Sequence, residues 1–401
     1  LRRQRQMCIR DRATLANPIY LSANQPYNTD WYDELTDVGI STNNNVAISG
    51  GTDKANYYLS YNNYAEDGIL EKNKVNRNTF RSNTSFKLFN DRLKLTQNIN
   101  YSFIKANPKP FGSFDEAYRQ APIVPAYYPS GQFGQTFYNQ NTGVVGYTAG
   151  AGETIGQLNS IGNPLSTVHF ANEQTNTSQF QGMFDAELKI TDWLKANTRL
   201  GISKSYSRGL VYNDTRGRWL AADPTRTDAQ YDAFQDGVAE GVYTYANNSI
   251  TATNTESFRY NWDTFLTATK TFDNHNFTLI AGFTKDSRNN VITATSSGYN
   301  VPTQSQFWTT RYAEGVNIDE FNATPVHMIS MFGRLQYDFN EKYFLTANFR
   351  RDGNSTFRQN ADYWGNFPSV AAGWALSKES FLSNVKGLDF LKIRGGYGLI
   401  G

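Results

Sequence analysis

Asp185, Glu187 and Lys189 stand at i, i+2 and i+4 in the stretch FDAELKITDWLKANTRLGI, a spacing that puts two carboxylates and an amine on one face of a strand. Such a group is either a general acid–base set or part of a solvated wall, and on a uniformly polar face the wall is the simpler reading. The rest of the inventory is poor for covalent or metal chemistry. Cys8 is the single cysteine, and His169, His275 and His327 lie far apart. Neither a disulfide framework, a cysteine metal site nor a Ser-His-Asp arrangement starts from that set. Asp319-Glu320, and Asp214 with Asp223, offer oxygen ligands to Ca²⁺ but lack EF-hand spacing, so no cofactor is expected. The stretch GVVGYTAGAG lacks the Lys-Ser/Thr of a phosphate-binding loop. The expectation is a protein without enzymatic activity.

The elements that carry these residues are strands. Phe184, Ala186, Leu188 and Ile190, then Leu194, Ala196, Thr198, Leu200 and Ile202, share one period-2 register about a turn at Thr191-Asp192-Trp193. Asp185, Glu187, Lys189, Lys195 and Arg199 share the other. The same alternation recurs in NTFRSNTSFKLF and LKLTQNINYSF around Asn90-Asp91-Arg92 and in SFRYNWDTFLTATKTF and NFTLIAGFT around Asp273-Asn274-His275. It returns in MISMFGRLQYDF and KYFLTANFR around Asn340-Glu341, and Asx residues at such turns suit tight hairpins. ANYYLSYNNYA and the segment holding Val46 and Ile48 begin the series, and SVAAGWAL and FLKIRGGYG end it, making about twelve strands.

The net charge of +2 in 401 residues argues against a nucleic-acid partner, which demands a basic excess. Mean hydropathy of −0.59 leaves no apolar run near the roughly 20 residues of a membrane helix. A β-barrel remains open, because its strands are only half apolar. The opening LRRQRQMCIRDR holds five arginines in twelve residues and lacks the apolar core of a signal peptide. Residues 1–12 are read as a non-native lead-in and 13–401 as partial barrel.

Connections sort by length, which decides between a soluble sheet and a membrane barrel. One side is mostly short; the other holds roughly ten residues near EDGILEKNKV, about seventy between Ala106 and Thr175, about fifty after Ser207 and about thirty before Pro325. Outer-membrane barrels sort loops this way, short in the periplasm and long outside. Strands of about ten to fourteen residues suit a tilted crossing of hydrocarbon. No charge interrupts the centre of the apolar register, and Phe89, Trp193, Phe272, Phe339, Tyr343 and Phe344 crowd the short-turn ends as an interfacial girdle. The favoured fold is therefore all-β, part of a large antiparallel transmembrane barrel; a soluble sandwich or propeller and a surface solenoid are the alternatives.

The stretch DWYDELTDVGISTNNNVAISGGTDKANYYLSYNNYAEDGIL resembles the start of the barrel in SusC/RagA-type TonB-linked outer-membrane proteins. YFLTANFRRDGNSTFRQNADYWGNFPSVAAGWALSKESFL, followed by LKIRGGYGLIG, is similar to that family's most distinctive region, with Arg350 to Ser355, Trp364 to Ser369 and Ala372 to Trp374 as the matching elements. APIVPAYYPSGQFG and IGNPLSTV fit between them. The resemblance implies a barrel commonly of about 22 strands, with a plug and TonB box that this sequence does not display. On that alignment the chain runs over roughly the second to the thirteenth strand, and transport belongs to the parent protein.

The resemblance further implies import of oligosaccharides or peptides across the bacterial outer membrane, a SusD-like lipoprotein over the mouth, and the TonB-ExbB-ExbD system acting through a plug. A β-rich adhesion or carbohydrate-binding protein without transport is the alternative, with an outer-membrane hydrolase third. Arg334, Arg350 and Asp338 are then candidates to face the plug through charge-assisted bonds. For Arg350 the plainer reading is a loop-closing pair with Asp352, Gly353 supplying the turn. Among the loop aromatics Tyr127, Tyr128, Phe133, Phe137, Tyr138, Tyr147, Trp219, Trp308 and Trp364, rings able to stack on sugar faces, Tyr127, Tyr128, Tyr138, Trp308 and Trp364 are the substrate candidates.

Overall fold

The computed structural model describes residues 21–400 apart from 109, 111, 147–154, 223–225, 232–247, 357–362 and 383–386. The lead-in, Cys8, Tyr147 and Asp223 lie outside the described residues. A 13-stranded antiparallel sheet dominates. Its path follows chain order through β1 (Ile40–Gly51), β2 (Ala55–Asp67), β3 (Lys74–Leu88) and β4 (Leu93–Asn107) to β7 (Ala171–Lys189) and β8 (Leu194–Asn213). It continues through β9 (Ser249–Phe272), β10 (His275–Tyr299), β12 (Val326–Phe339), β13 (Tyr343–Asn354), β14 (Trp364–Ala375) and β15 (Lys392–Gly398). These are the expected strands; the sheet is open, with β1 and β15 at its edges.

The hairpin ends follow from the turn residues. Asn90 and Asp91, Asp273, and Asn340 with Glu341 adopt positive φ, the left-handed region that matches the twist of the flanking strands and that Asx side chains tolerate best. Pairing then keeps the alternation in phase across strands. Phe184 faces Leu200 and Leu200 faces Trp262, while Asp185 faces Arg199 and Arg199 faces Asp263.

Three expectations are corrected. β9 and β10 run for 24 and 25 residues and β7 and β8 for 19 and 20, well beyond ten to fourteen. A tilted crossing takes about ten, so the sheet continues past the hydrocarbon and the long-side connections shrink to 68–73, 108–170, 214–248, 300–325 and 355–363. The alternation fades there because neither face meets lipid. The second correction is at the other end, where 376–391 joins β14 to β15 and is no tight hairpin. The third is β11 (Glu314–Asn322), a strand unforeseen within the 300–325 connection, which pairs with the upper half of β10 beyond a register shift between Ser287 and Asn290.

The long connection after β4 is a folded cap rather than a coil. It holds α2 (Ser113–Arg119), β5 (Phe137–Asn139) paired with β6 (Ile155–Gln157), and α3 (Pro164–His169). Asn163 caps α3 by accepting from the backbone N–H of Leu165 and Ser166, with Pro164 preset for the first helical turn. α1 (Trp31–Leu35), capped by Asp30, packs against the same core, where Trp31, Leu35, Leu70, Val124, Val145 and Val168 are buried together. α4 (Thr215–Ala221) lies on the next long connection.

Candidate functional site

The inner face of the sheet carries a self-compensated polar row. Register places Asp185, Arg199, Asp263, Thr284, Ser330 and Asp352 side by side across six strands. Arg199 Nε lies 3.0 Å from Asp185 Oδ2, Thr284 Oγ1 donates to Asp263 Oδ1 at 2.7 Å, and Arg350 Nη2 donates to Ser330 Oγ at 2.9 Å. Lys195 pairs with Glu187 at 3.1 Å and Lys189 with Asp192 at 2.7 Å. Each member of the Asp185-Glu187-Lys189 group thus has its own partner. The group is wall.

Arg350 donates through Nε to both oxygens of Asp352 at 2.7 and 2.9 Å, in keeping with the plainer reading. The turn ascribed to Gly353 is wrong: Gly353 sits inside β13, opposite Ile329 and Trp364. A Cβ there would fall 2.9 Å from the Trp364 ring, so close strand-to-indole approach is what requires glycine. Arg334 Nε donates to Asn348 Oδ1 at 2.7 Å, and Asp338 accepts from Asn276 Nδ2 at 3.1 Å and the Glu341 N–H at 3.3 Å. The three plug-facing candidates share the inner face, Arg334 without an acidic partner among the described residues.

The aromatic candidates do not converge on one surface. Tyr128 is 4% exposed and accepts from the Gln135 N–H at 3.2 Å, and Tyr138 is part of the cap core. Tyr127 is exposed beside Phe133, with ring centroids 5.3 Å apart. Partial desolvation of its hydroxyl, with the nearby Glu71 and Glu34 carboxylates, pushes the Tyr127 phenol up from its ordinary range. Trp308 stacks on Tyr212 at 4.2 Å, sealing a second small core with Ile250 and Val301. Burial likewise raises the Tyr212 phenol. The Arg351 guanidinium lies 5.1 Å from the Trp364 ring centre. Tyr127 keeps exposed surface at the long-loop end, Trp364 is half-buried on the same register as Ile329 and Met331, the apolar face, and Tyr128 and Tyr138 are structural.

At the short-turn end the aromatics form the expected band. Phe339, Tyr343 and Trp374 stack in succession with centroids 6.2 Å apart. Tyr343 Oη and Trp374 Nε1 both donate to Glu379 Oε1, at 2.7 and 3.0 Å, and these bonds hold the Glu379 carboxyl below its ordinary range. His275 Nδ1 is 2.8 Å from Tyr337 Oη in the same band. Among the described residues no cluster of His, Cys, Asp or Glu is arranged to hold a metal ion. Asp214 instead caps α4 through the Gly217 N–H, and Asp319-Glu320 lie on β11.

Sequence reasoning missed Asp286. Its side chain is 4% exposed and flanked by Arg288 Nε at 3.1 Å and Arg259 Nη2 at 3.5 Å. The signal available was KDSRNN, where charge interrupts the alternation of β10 just before the register shift at Ser287 and Asn290.

Comparison with known proteins places this wall. No family model matches the sequence. The chain is 27% identical over 391 residues to TonB-dependent receptor P3 of Formosa agariphila, covering 94% of this chain and 34% of the relative. It is 25% identical over 379 residues to TonB-dependent receptor SusC of Bacteroides thetaiotaomicron, covering 93% of this chain and 35% of that protein. The chain is thus similar over nearly its whole length to TonB-dependent receptors, SusC among them. It spans about a third of the length of the curated relatives it matches. Its fold follows the RagAB peptide importer in the open-open state, with a TM-score of 0.63 at 15% identity over 96% of this chain and 39% of that one. In a transmembrane barrel wall of that fold the apolar register would turn toward lipid and the polar row toward the lumen. Among the described residues no helix is long and apolar enough to cross a membrane.

Proposed function

We propose that this chain forms part of the barrel wall of a TonB-dependent importer of oligosaccharides or peptides, working with a SusD-like lipoprotein at its mouth and the TonB-ExbB-ExbD system below. The observation that carries the reading is the two-faced sheet. Leu266, Leu279, Met331 and Phe349 stand exposed on one face, while the other holds ion pairs and hydroxyls that need water or a polar partner. Such a sheet is stable only between lipid and an aqueous or protein-filled lumen. The long connections then cap the extracellular mouth, and a solute meets Tyr127 before the charged wall. No reacting group is involved; the work is binding, exclusion and release.

Two measurements test this. In cells making the complete receptor, a membrane-impermeant thiol reagent should label a cysteine at Gly131 and spare one at Asp91; the reverse pattern sinks the topology. Uptake of a fluorescent oligosaccharide or peptide should stop when TonB is deleted. Uptake that persists would break the TonB-dependent reading, and binding with no uptake even when TonB is present would favour an adhesion or binding role.

A further inference from the structure

On the inner face, one strand row runs Arg81, Asn100, Gln181, Ser203 and Arg259, as the pairings of β3, β4, β7, β8 and β9 align them. The adjacent row runs Asn83, Asn98, Met183, Gly201 and Asn261. Together they line a groove of about 670 Å³, within the size range of small-ligand sites. Its floor is five carboxamides, each both donor and acceptor, and at its ends stand Arg81 and Arg259, whose backbone positions lie four strand spacings, about 19 Å, apart along the sheet.

We infer that this groove binds an oligosaccharide bearing carboxylates, the carboxamides meeting sugar hydroxyls and Arg81 and Arg259 meeting uronate groups at its two ends. The inference rests on the import reading and names its substrate class. Charge is the first argument. Arg81 and Arg259 are the only charged residues lining the groove, and among the described residues Arg81 makes no ion pair or side-chain hydrogen bond. Arg259 leans 3.5 Å from Asp286, but that carboxylate is shared with Arg288 at 3.1 Å, so the pair of arginines leaves net positive charge on the wall. The next two rows toward the short turns contrast with it, since there Arg199 and Arg350 are matched by Asp185 and Asp352.

Shape is the second argument. Gly201 leaves the floor open, and a Cβ placed there meets nothing nearer than the Asn261 carbonyl at 3.8 Å. A side chain at 201 would enter the groove without disturbing the strands.

Isothermal titration of the complete receptor in detergent with tetragalacturonate and with neutral maltotetraose tests this. Tetragalacturonate should bind, more weakly as salt rises, and maltotetraose at least about tenfold more weakly. Arg81→Gln and Arg259→Gln should each weaken tetragalacturonate by about tenfold, the loss expected of one charge-assisted contact, with Arg81→Lys retaining most of the affinity. Gly201→Phe should abolish binding while the barrel keeps its heat-modifiable migration on gels. Equal affinity for the two ligands, no binding of tetragalacturonate, or full affinity in folded Gly201→Phe overturns the inference. Intact binding without TonB-dependent uptake would instead break the import reading and leave the groove standing.

Discussion

Leu266 and Leu279 on the wall are 47% and 49% exposed, whereas Trp31 and Val124 in the cap are 2% and 0% exposed. The same chain uses two solvents. On the wall each strand satisfies its backbone through neighbours and leaves its leucines for lipid. In the cap the chain folds on itself, burying its apolar groups and closing backbone polar groups with side chains: Trp31 Nε1 donates to the Ala121 carbonyl at 3.1 Å and Thr29 Oγ1 to the Val124 carbonyl at 2.7 Å. The wall therefore depends on the bilayer, and the cap behaves like a small water-soluble domain carried on strand ends. Breaking each region separately tests the contrast.

The largest effect is expected in the cap. Trp31→Ala removes a fully buried indole and its hydrogen bond, a change that costs about 3–5 kcal/mol in a packed core. Amide exchange at Val124 and Thr29 should accelerate sharply while the strands stay protected. If strands and cap exchange together, the two are one cooperative unit and the contrast fails.

On the wall, Leu200→Arg should impair assembly by about 2–4 kcal/mol, the midplane cost of a lipid-facing cation. Thr198→Arg, nearer the turn, should cost less because the penalty fades toward the interface. Thr198 also tells where the outer face turns polar: its Oγ1 accepts from Trp262 Nε1 at 2.9 Å and shares a 2.9 Å contact with Thr264 Oγ1. Folded yield in lipid vesicles reads the difference, and equal yields would count against the register. Arg199→Gln should cost only about 0.2–1 kcal/mol, because the ion pair with Asp185 faces the lumen and exposed pairs are worth little. A loss as large as that of Leu200→Arg would put Arg199 on the wrong face.

The same contrast explains what the sequence disclosed. Alternation between Phe184 and Ile202 is forced by one-sided lipid contact, so strand existence, facing and turn positions were all legible there. Above the bilayer that pressure is absent. The upper halves of β7 to β10 carry Thr177, Ser207, Thr255 and Thr293 on one face, and such runs read as loop until pairing reveals them. The cap was less legible still. Its core gathers Trp31, Leu70, Val124 and Val168 from segments far apart, and no local period marks them. For that reason Tyr128 and Tyr138 read as exposed binding rings when they are packing residues. The carboxamide groove was hidden because its members come from five strands, and only the register sets them in rows.

The smallest expected effect has the opposite sign to the others. Glu116 lies on α2, with Gly162 so close that a Cβ there would stand 3.1 Å from its Oε1, and its Oε2 is buried without a partner. Burial raises the Glu116 carboxyl above its ordinary range; a hydrogen bond from Thr167 and the charges of Arg218 and Arg119 oppose the rise, and Asp115 adds to it. A carboxyl raised on folding binds its proton more tightly in the folded cap than in the unfolded one. Cap stability is then greatest below the unfolded carboxyl range, falls as pH climbs toward the raised folded value, and is flat above it. Glu116→Gln removes that decline. The variant should match the parent at a pH below the unfolded carboxyl range and exceed it at neutral pH by only about a few tenths of a kcal/mol, since the group is half-exposed and screened by water. Protease susceptibility of the cap in graded urea, read at both pH values, checks the sign. A variant less stable than the parent at neutral pH would mean that the carboxylate is held by Arg218 and Thr167 more firmly than burial opposes it, and that the cap, like the wall, draws stability from its charges.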